Sequence, residues 1–299
     1  MTLPLLKDWT PTATGLHRAA QILAGVRMLL LPHQPNYLEL ALDVIPEGLT
    51  TGRLPGDGEI WLDMRRAALV YRHPERGETV VPLAGTTQAY ANRALLIALR
   101  DGELAGTLAD TADDDLLERF TAAVRARYPD LPAHHTAFSE TDPLRVDPQV
   151  SRAYAAVQDA VFTGIARFRA RVQGHWFPAV VYPEHFDLST IWFYAPDFDE
   201  NGAHITIGFA PFSDGLPRPY LYLTAYPYPD NLTEPPLPKP AVWNVQPWRG
   251  VVIAYDSVAS FNDATEPDGD AEALAARIET LCAAVFKMLR GMVAANSSV

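Results

Sequence analysis

The sequence predicts an α+β fold: antiparallel sheet elements flanked by helices, in two similar helix–strands–helix halves. Three observations lead there. Helical periodicity marks a segment near the start, a long segment at the centre and another at the end. Short strand-like segments fall in groups between those helices rather than alternating with them, which favours α+β over a doubly wound sheet. Gly and Pro clusters separate the strands, as a meander of hairpins requires.

The elements follow in order. From Thr14 to Leu31, apolar Leu16, Ala19, Ala20, Leu23, Val26 and Leu30 recur at three- and four-residue steps until Pro32 stops the helix. Strands are expected at 37–45, 59–63, 67–71 and 79–81, with Leu54-Pro55-Gly56-Asp57-Gly58 as one of the turns. Helices return at 87–99 and 114–128. Residues 131–148 carry three prolines, the adjacent His134 and His135 and no periodicity, so they read as a linker between halves 1–130 and 149–299. The central helix then opens on Asp147 as N-cap with Pro148 at its first position, and Gly174 follows its end. Strands are expected at 179–182, 188–194, 204–209, 220–226 and 251–255, with a closing helix over 270–289 whose face carries Leu274, Ile278, Leu281, Val285 and Leu289.

Composition excludes several classes of function. The 299 residues carry a formal charge of −12, which repels phosphate backbones and anionic membranes. One cysteine, Cys282, permits neither an intramolecular disulfide nor a cysteine-based zinc site. No apolar run approaches the ~20 residues of a membrane span, and no segment reads as a secretory signal, so a cytoplasmic location is expected and the sequon Asn231-Leu232-Thr233 carries no weight. Ten of the 26 prolines fall between Pro211 and Pro247, marking loop or edge strand. There is no nucleophile elbow, P-loop, paired-histidine zinc helix or dinucleotide fingerprint, and nothing calls for a cofactor.

Thr14, Leu16-His17, Gln21-Ile22 and Gly25-Val26-Arg27 form an opening helix signature. Gly48-Leu49-Thr50-Thr51, Phe168-Arg169-Ala170-Arg171, Phe186-Asp187-Leu188, Gly208-Phe209 and the aromatic run 220–229 follow it in order. On these blocks the chain resembles DUF5996, a family of bacterial proteins with no assigned function. The resemblance implies no reaction, cofactor or partner. Where the family tends to carry a His and a Trp before the Phe-Asp-Leu block, this chain has Val180 and Pro183.

Five polar residues are candidates for chemistry. Arg27 falls on the apolar side of the first helix, so it needs a carboxylate or a bound anion as partner. His17 and Gln21 sit one turn apart, placed either to hydrogen-bond a ligand or to anchor the helix. His204 and Asp187 complete an expected cleft, with His17 or His204 as general base and Gln21, Arg27 and Asp187 as ligand contacts. A weaker alternative sets His185, Asp187 and His204 as a metal triad. The run 197–202 matches the start of an EF-hand loop, but Gly208 stands where its bidentate Glu belongs, so a hairpin turn is the better reading. Two functions remain open: a pocket protein or hydrolase-like enzyme taking a small anionic molecule, and a non-catalytic interaction protein using its aromatic and Pro-rich surface.

Overall fold

The computed structural model describes residue 6 and residues 8–132, 136–228, 234–259 and 271–296. His134, His135, the sequon and the expected start of the last helix at Asp270 lie outside them. Among the described residues there are seven helices and two antiparallel sheets, of five and seven strands, so the class is α+β. No helix is long and apolar enough to cross a membrane among them. The chain divides into two compact units, residues 8–155 with 181–186, and residues 156–180 with those from 187 onward.

The first unit opens with α1 (Thr10–Leu30), followed by a 3-10 turn (Pro35–Tyr37), β1 (Asp43–Ile45), β2 (Gly48–Arg53), β3 (Glu59–Asp63), β4 (Ala68–His73) and β5 (Gly77–Pro82). Helices α2 (Gln88–Arg100), α3 (Ala105–Leu108) and α4 (Leu116–Arg127) come next. The five strands pair in sequence order as a meander. The predicted stripe of α1 is fully buried at Leu16, Ala19, Ala20, Leu23 and Val26, against β2, β3, α2 and α4. Gly25 permits the close approach there: a Cβ on it would sit 2.8 Å from the Phe138 ring and 2.9 Å from Phe120.

Two expectations change. The strand expected over 37–45 is reduced to its last three residues, because the chain before them folds as a tight turn. Of the expected linker 131–148, residues 136–148 are packed into the first unit. Phe138, Leu144 and Val146 are buried, and main-chain bonds run from Ala89 N to Glu140 O (3.0 Å) and from Leu144 N to Thr86 O (2.7 Å). Prolines and irregular spacing hid these apolar anchors from a periodicity reading.

Asp147 caps α5 (Pro148–Arg171) as expected, its Oδ1 accepting from the N–H groups of Gln149 (2.7 Å) and Val150 (3.1 Å). After it come β6 (His175–Trp176), β7 (Val180–Tyr182), β8 (Asp187–Phe193), β9 (His204–Ala210), β10 (Tyr220–Tyr226), β11 (Val242–Asn244), β12 (Gly250–Ala254), α6 (Tyr255–Ala259) and α7 (Ala271–Asn296). The main path of the second sheet is β11-β12-β10-β9-β8-β6. Side chains alternate across it. Ile205, Ile207, Phe209, Leu221 and Leu223 are buried on the face toward α7, which contributes Leu274, Ile278, Cys282, Val285 and Leu289. The opposite face carries Tyr220 and Tyr222, with Trp248 stacked on Tyr220 at 6.4 Å between ring centroids. Residues 197–202 form the β8–β9 hairpin turn, where Asp199 Oδ1 accepts from Asn201 N (2.9 Å), so the EF-hand resemblance is a turn signature.

Candidate functional site

The residues singled out from sequence have well-defined places. His17 Nε2 lies 2.7 Å from the Pro183 carbonyl, which can only accept, so Nε2 carries a proton. The Gln21 amide nitrogen lies 3.4 Å from the same nitrogen, which as an N–H cannot accept from it, and the His17 ring stacks on Phe186 at 5.7 Å. Phe186 has φ +56°, a conformation disfavoured for a bulky residue, and Tyr154 stacks near it at 6.1 Å. His17 therefore holds the 181–186 segment in the first unit.

Arg27 finds partners that the sequence reading did not foresee. Its Nε donates to Glu39 O (2.9 Å), Nη2 to Leu38 O (3.0 Å) and Nη1 to Thr51 O. Burial lowers its pKa, opposed by the nearby charges of Asp43 and Glu39. It is a carbonyl clamp joining α1 to the following loop and to β2, rather than one half of a direct ion pair.

In the second unit, His204 Nδ1 lies 2.9 Å from Gly202 O and its ring stacks on Tyr226 at 5.3 Å. Asp187 Oδ2 accepts from the Tyr222 hydroxyl. The β8–β9 register pairs His204 with Phe193 at one end and Phe209 with Leu188 at the other. Six residues of strand therefore separate the level of His204 from Asp187, roughly 20 Å at ~3.3 Å per residue. The metal alternative of His185, Asp187 and His204 is not assembled: among the described residues no three His, Cys, Asp or Glu side chains come together as a metal-holding group.

What the sequence reading missed lies just after α1. Glu39 is fully buried, an acid inside the apolar run Leu38–Leu42. Its Oε1 accepts from His33 Nδ1 (2.7 Å) and the Tyr128 hydroxyl (2.9 Å), and its Oε2 from Gln34 N (3.0 Å). Burial alone would raise its pKa. The bonds from His33, its own N–H, Gln34 and Tyr128 outweigh burial and hold the carboxyl below its usual range. Burial, then the bond to Glu39, raises the Tyr128 hydroxyl.

An ionised carboxylate only accepts, so Nδ1 of His33 carries the proton and, in the neutral ring, Nε2 keeps its lone pair. The His33 side chain is 65% exposed while that of Glu39 is 0% exposed. A buried acid thus orients a histidine that meets solvent. His33 and Tyr128 line a cleft of about 250 Å³ with Tyr37, Arg127, Asp130 and Leu131. Tyr37 meets the His33 ring edge-on at 5.3 Å. Arg127 is fixed by Nη1 to Leu29 O (2.7 Å) and Nη2 to Leu31 O, which satisfies carbonyls at the end of α1. The loop carrying His33 contains two consecutive left-handed residues, Asn36 (φ +54°) and Tyr37 (φ +52°).

Residues 2–271 match the model of a family described only as being of unknown function, DUF5996. The chain belongs to that family. No curated protein and no solved structure matches it. In this DUF5996 chain, the blocks that carried the resemblance do structural work. His17 holds residues 181–186, and Arg27 of the first block donates to Thr51 O of the second. Gly208 leaves room for the Tyr222 ring, which a Cβ would approach to 2.3 Å. His33, Glu39 and Tyr128 lie between those blocks.

Proposed function

We propose that this protein binds a small anionic molecule in the cleft beside His33, with the His33–Glu39 pair supplying acid–base chemistry of a hydrolase-like kind. The observation that carries the reading is the buried, ionised Glu39 carboxylate 2.7 Å from Nδ1 of an exposed histidine on a cleft wall. A carboxylate in that position fixes the tautomer and steadies the imidazolium that forms when Nε2 takes a proton. Arg127, with two N–H groups held by carbonyls, keeps the rest of its fork for an oxyanion. In hydrolysis, water would lose a proton to Nε2 as its oxygen bonds to the electrophilic centre. The bond to the leaving group would then break, and Nε2–H would return the proton to that group.

The test is a thermal-shift and calorimetric screen of small carboxylates and phosphate esters, repeated on His33→Gln and Arg127→Ala. Binding that raises the melting temperature of the wild type and is lost in both variants supports the reading. An absence of binding across the panel, or shifts unchanged in both variants, overturns it. Hydrolysis of any bound ester is then read directly, with His33→Gln expected to lower kcat at least 100-fold.

A further inference from the structure

Helix α5 carries three arginines at two-residue steps in its last turns. Arg167 and Arg171 lie one turn apart, on the face toward α7. Arg167 makes a bidentate pair with Glu272 at 2.6 and 2.8 Å. Arg171 Nε stands 2.6 Å from Glu279 Oε1, an ion pair without hydrogen-bond alignment. Arg169 lies between them in sequence and so points about 200° away around the helix. No carboxylate pairs with it among the described residues.

Among the described residues the guanidinium of Arg169 has one hydrogen bond, from Nη2 to Phe177 O at 2.8 Å, and its Cζ lies 5.4 Å from the centre of the Trp176 ring. Its Nε is buried with no acceptor among the described residues, whereas the residue as a whole is partly exposed. Arginine does not shed its charge in a protein. Burial lowers its pKa, and no acid nearby opposes that shift. The carbonyls at the end of α5 supply only partial negative charge. A half-buried cation with an orphaned donor is costly unless something negative completes it. Each neighbouring arginine is completed by α7; this one is not.

We propose that Arg169 anchors a second ligand site, for a small oxyanion or the oxyanion group of a larger molecule, at the C-terminal end of α5. The ring of Trp176 borders the guanidinium, the Phe177 carbonyl fixes Nη2, and the Nη1 edge takes a carboxylate or phosphate oxygen. The site stands apart from the His33 cleft in its residues and does not depend on the function proposed for that cleft.

Calorimetric titration of the full chain with inorganic phosphate and with acetate, at constant ionic strength set by chloride, tests the site, alongside Arg169→Met, Arg169→Lys and His33→Gln. Binding is expected in the wild type and in His33→Gln, at least tenfold weaker in Arg169→Met, and partly kept in Arg169→Lys. Binding of phosphate alone, of acetate alone, or of both supports the site and states which oxyanion it prefers. In chloride, Arg169→Met is expected to melt no lower than the wild type, because it removes an uncompensated charge. The proposal is overturned if neither anion binds the wild type, a result that needs no variant to fold, or if binding is equal in wild type and Arg169→Met. Binding lost in His33→Gln but kept in Arg169→Met would assign the anion to the cleft and also refute the site.

Discussion

Substituting Glu39 by Gln is the sharpest test of the buried acid, because it preserves shape and removes charge. The carboxylate accepts from His33 and Tyr128 at Oε1 and from Gln34 N at Oε2. A glutamine that turns its carbonyl toward the first two sets its amide donor against the Gln34 N–H. One buried bond is lost, worth about 1–3 kcal/mol, and two charge-assisted bonds fall to neutral strength, about 1 kcal/mol each. The expected loss is therefore about 3–5 kcal/mol, or about 10 °C in melting temperature at roughly 2–4 °C per kcal/mol. The pH dependence has a definite sign. Glu39 is held below the usual carboxylate range, so its contribution is fully present above that range and disappears as pH falls through the lower folded value. Melting curves of wild type and variant from pH 7 to pH 3 should differ by a constant amount down to about pH 5 and then converge. A variant within about 1 °C of wild type at pH 7, or a gap that does not close in acid, would refute the reasoning.

Three further outcomes follow from the packing. Arg27→Met leaves three carbonyls without their donor, and denaturant titration should show a loss of about 3 kcal/mol that Arg27→Lys does not restore, since an ammonium cannot reproduce the fork. Gly208→Ala sets a methyl 2.3 Å from the Tyr222 ring, so it should cost about 1–3 kcal/mol in the same assay, and a variant as stable as wild type would mean that the ring moves aside freely. The Cys282 thiol is fully buried, and burial pushes its pKa up to about 12, so it should resist a thiol reagent in the native protein and react at once in denaturant.

Much of the fold was legible because periodicity reports burial directly. The stripe on α1 is visible as spacing, and it buries five of the six side chains that it marks, Leu30 being half-buried. The Asp147 N-cap was readable for the same reason: its signal is local. Residues 136–147 were not, since Phe138, Leu144 and Val146 earn their places by contacts distant in sequence. The candidate site shows the same division. Arg27 and His17 stood out as polar groups on an apolar helix, yet their partners are carbonyls that no sequence pattern names. Glu39 was hidden because the strand expected over 37–45 would have made it an ordinary alternating polar residue. One signal could have found it: an acid within Leu38-Glu39-Leu40-Ala41-Leu42, preceded by a loop with a histidine between prolines.

The clamp and the dyad are one structure. Asn36 and Tyr37 take left-handed backbone conformations that cost about 1–2 kcal/mol per residue, and such conformations persist only where the surroundings hold them. Here the holding groups are specific. Arg27 bonds the carbonyls of Leu38 and Glu39, the Tyr182 hydroxyl bonds Asn36 O at 3.1 Å, and Leu40 N returns to Tyr37 O at 2.9 Å. The bend they enforce turns the Glu39 carboxylate inward beneath His33 and leaves the Tyr37 ring 49% exposed at the cleft. A plain connector would need neither the bend nor a tyrosine in it. Arg27 thus serves the cleft from behind, by fixing the main chain that aims the acid, although it was first singled out as a contact to the ligand. That arrangement separates two kinds of damage. Loss of Arg27 should lower stability and ligand affinity together, whereas loss of His33, which is exposed and whose one hydrogen bond among the described residues runs from Nδ1 to Glu39, should remove the ligand and leave the fold standing.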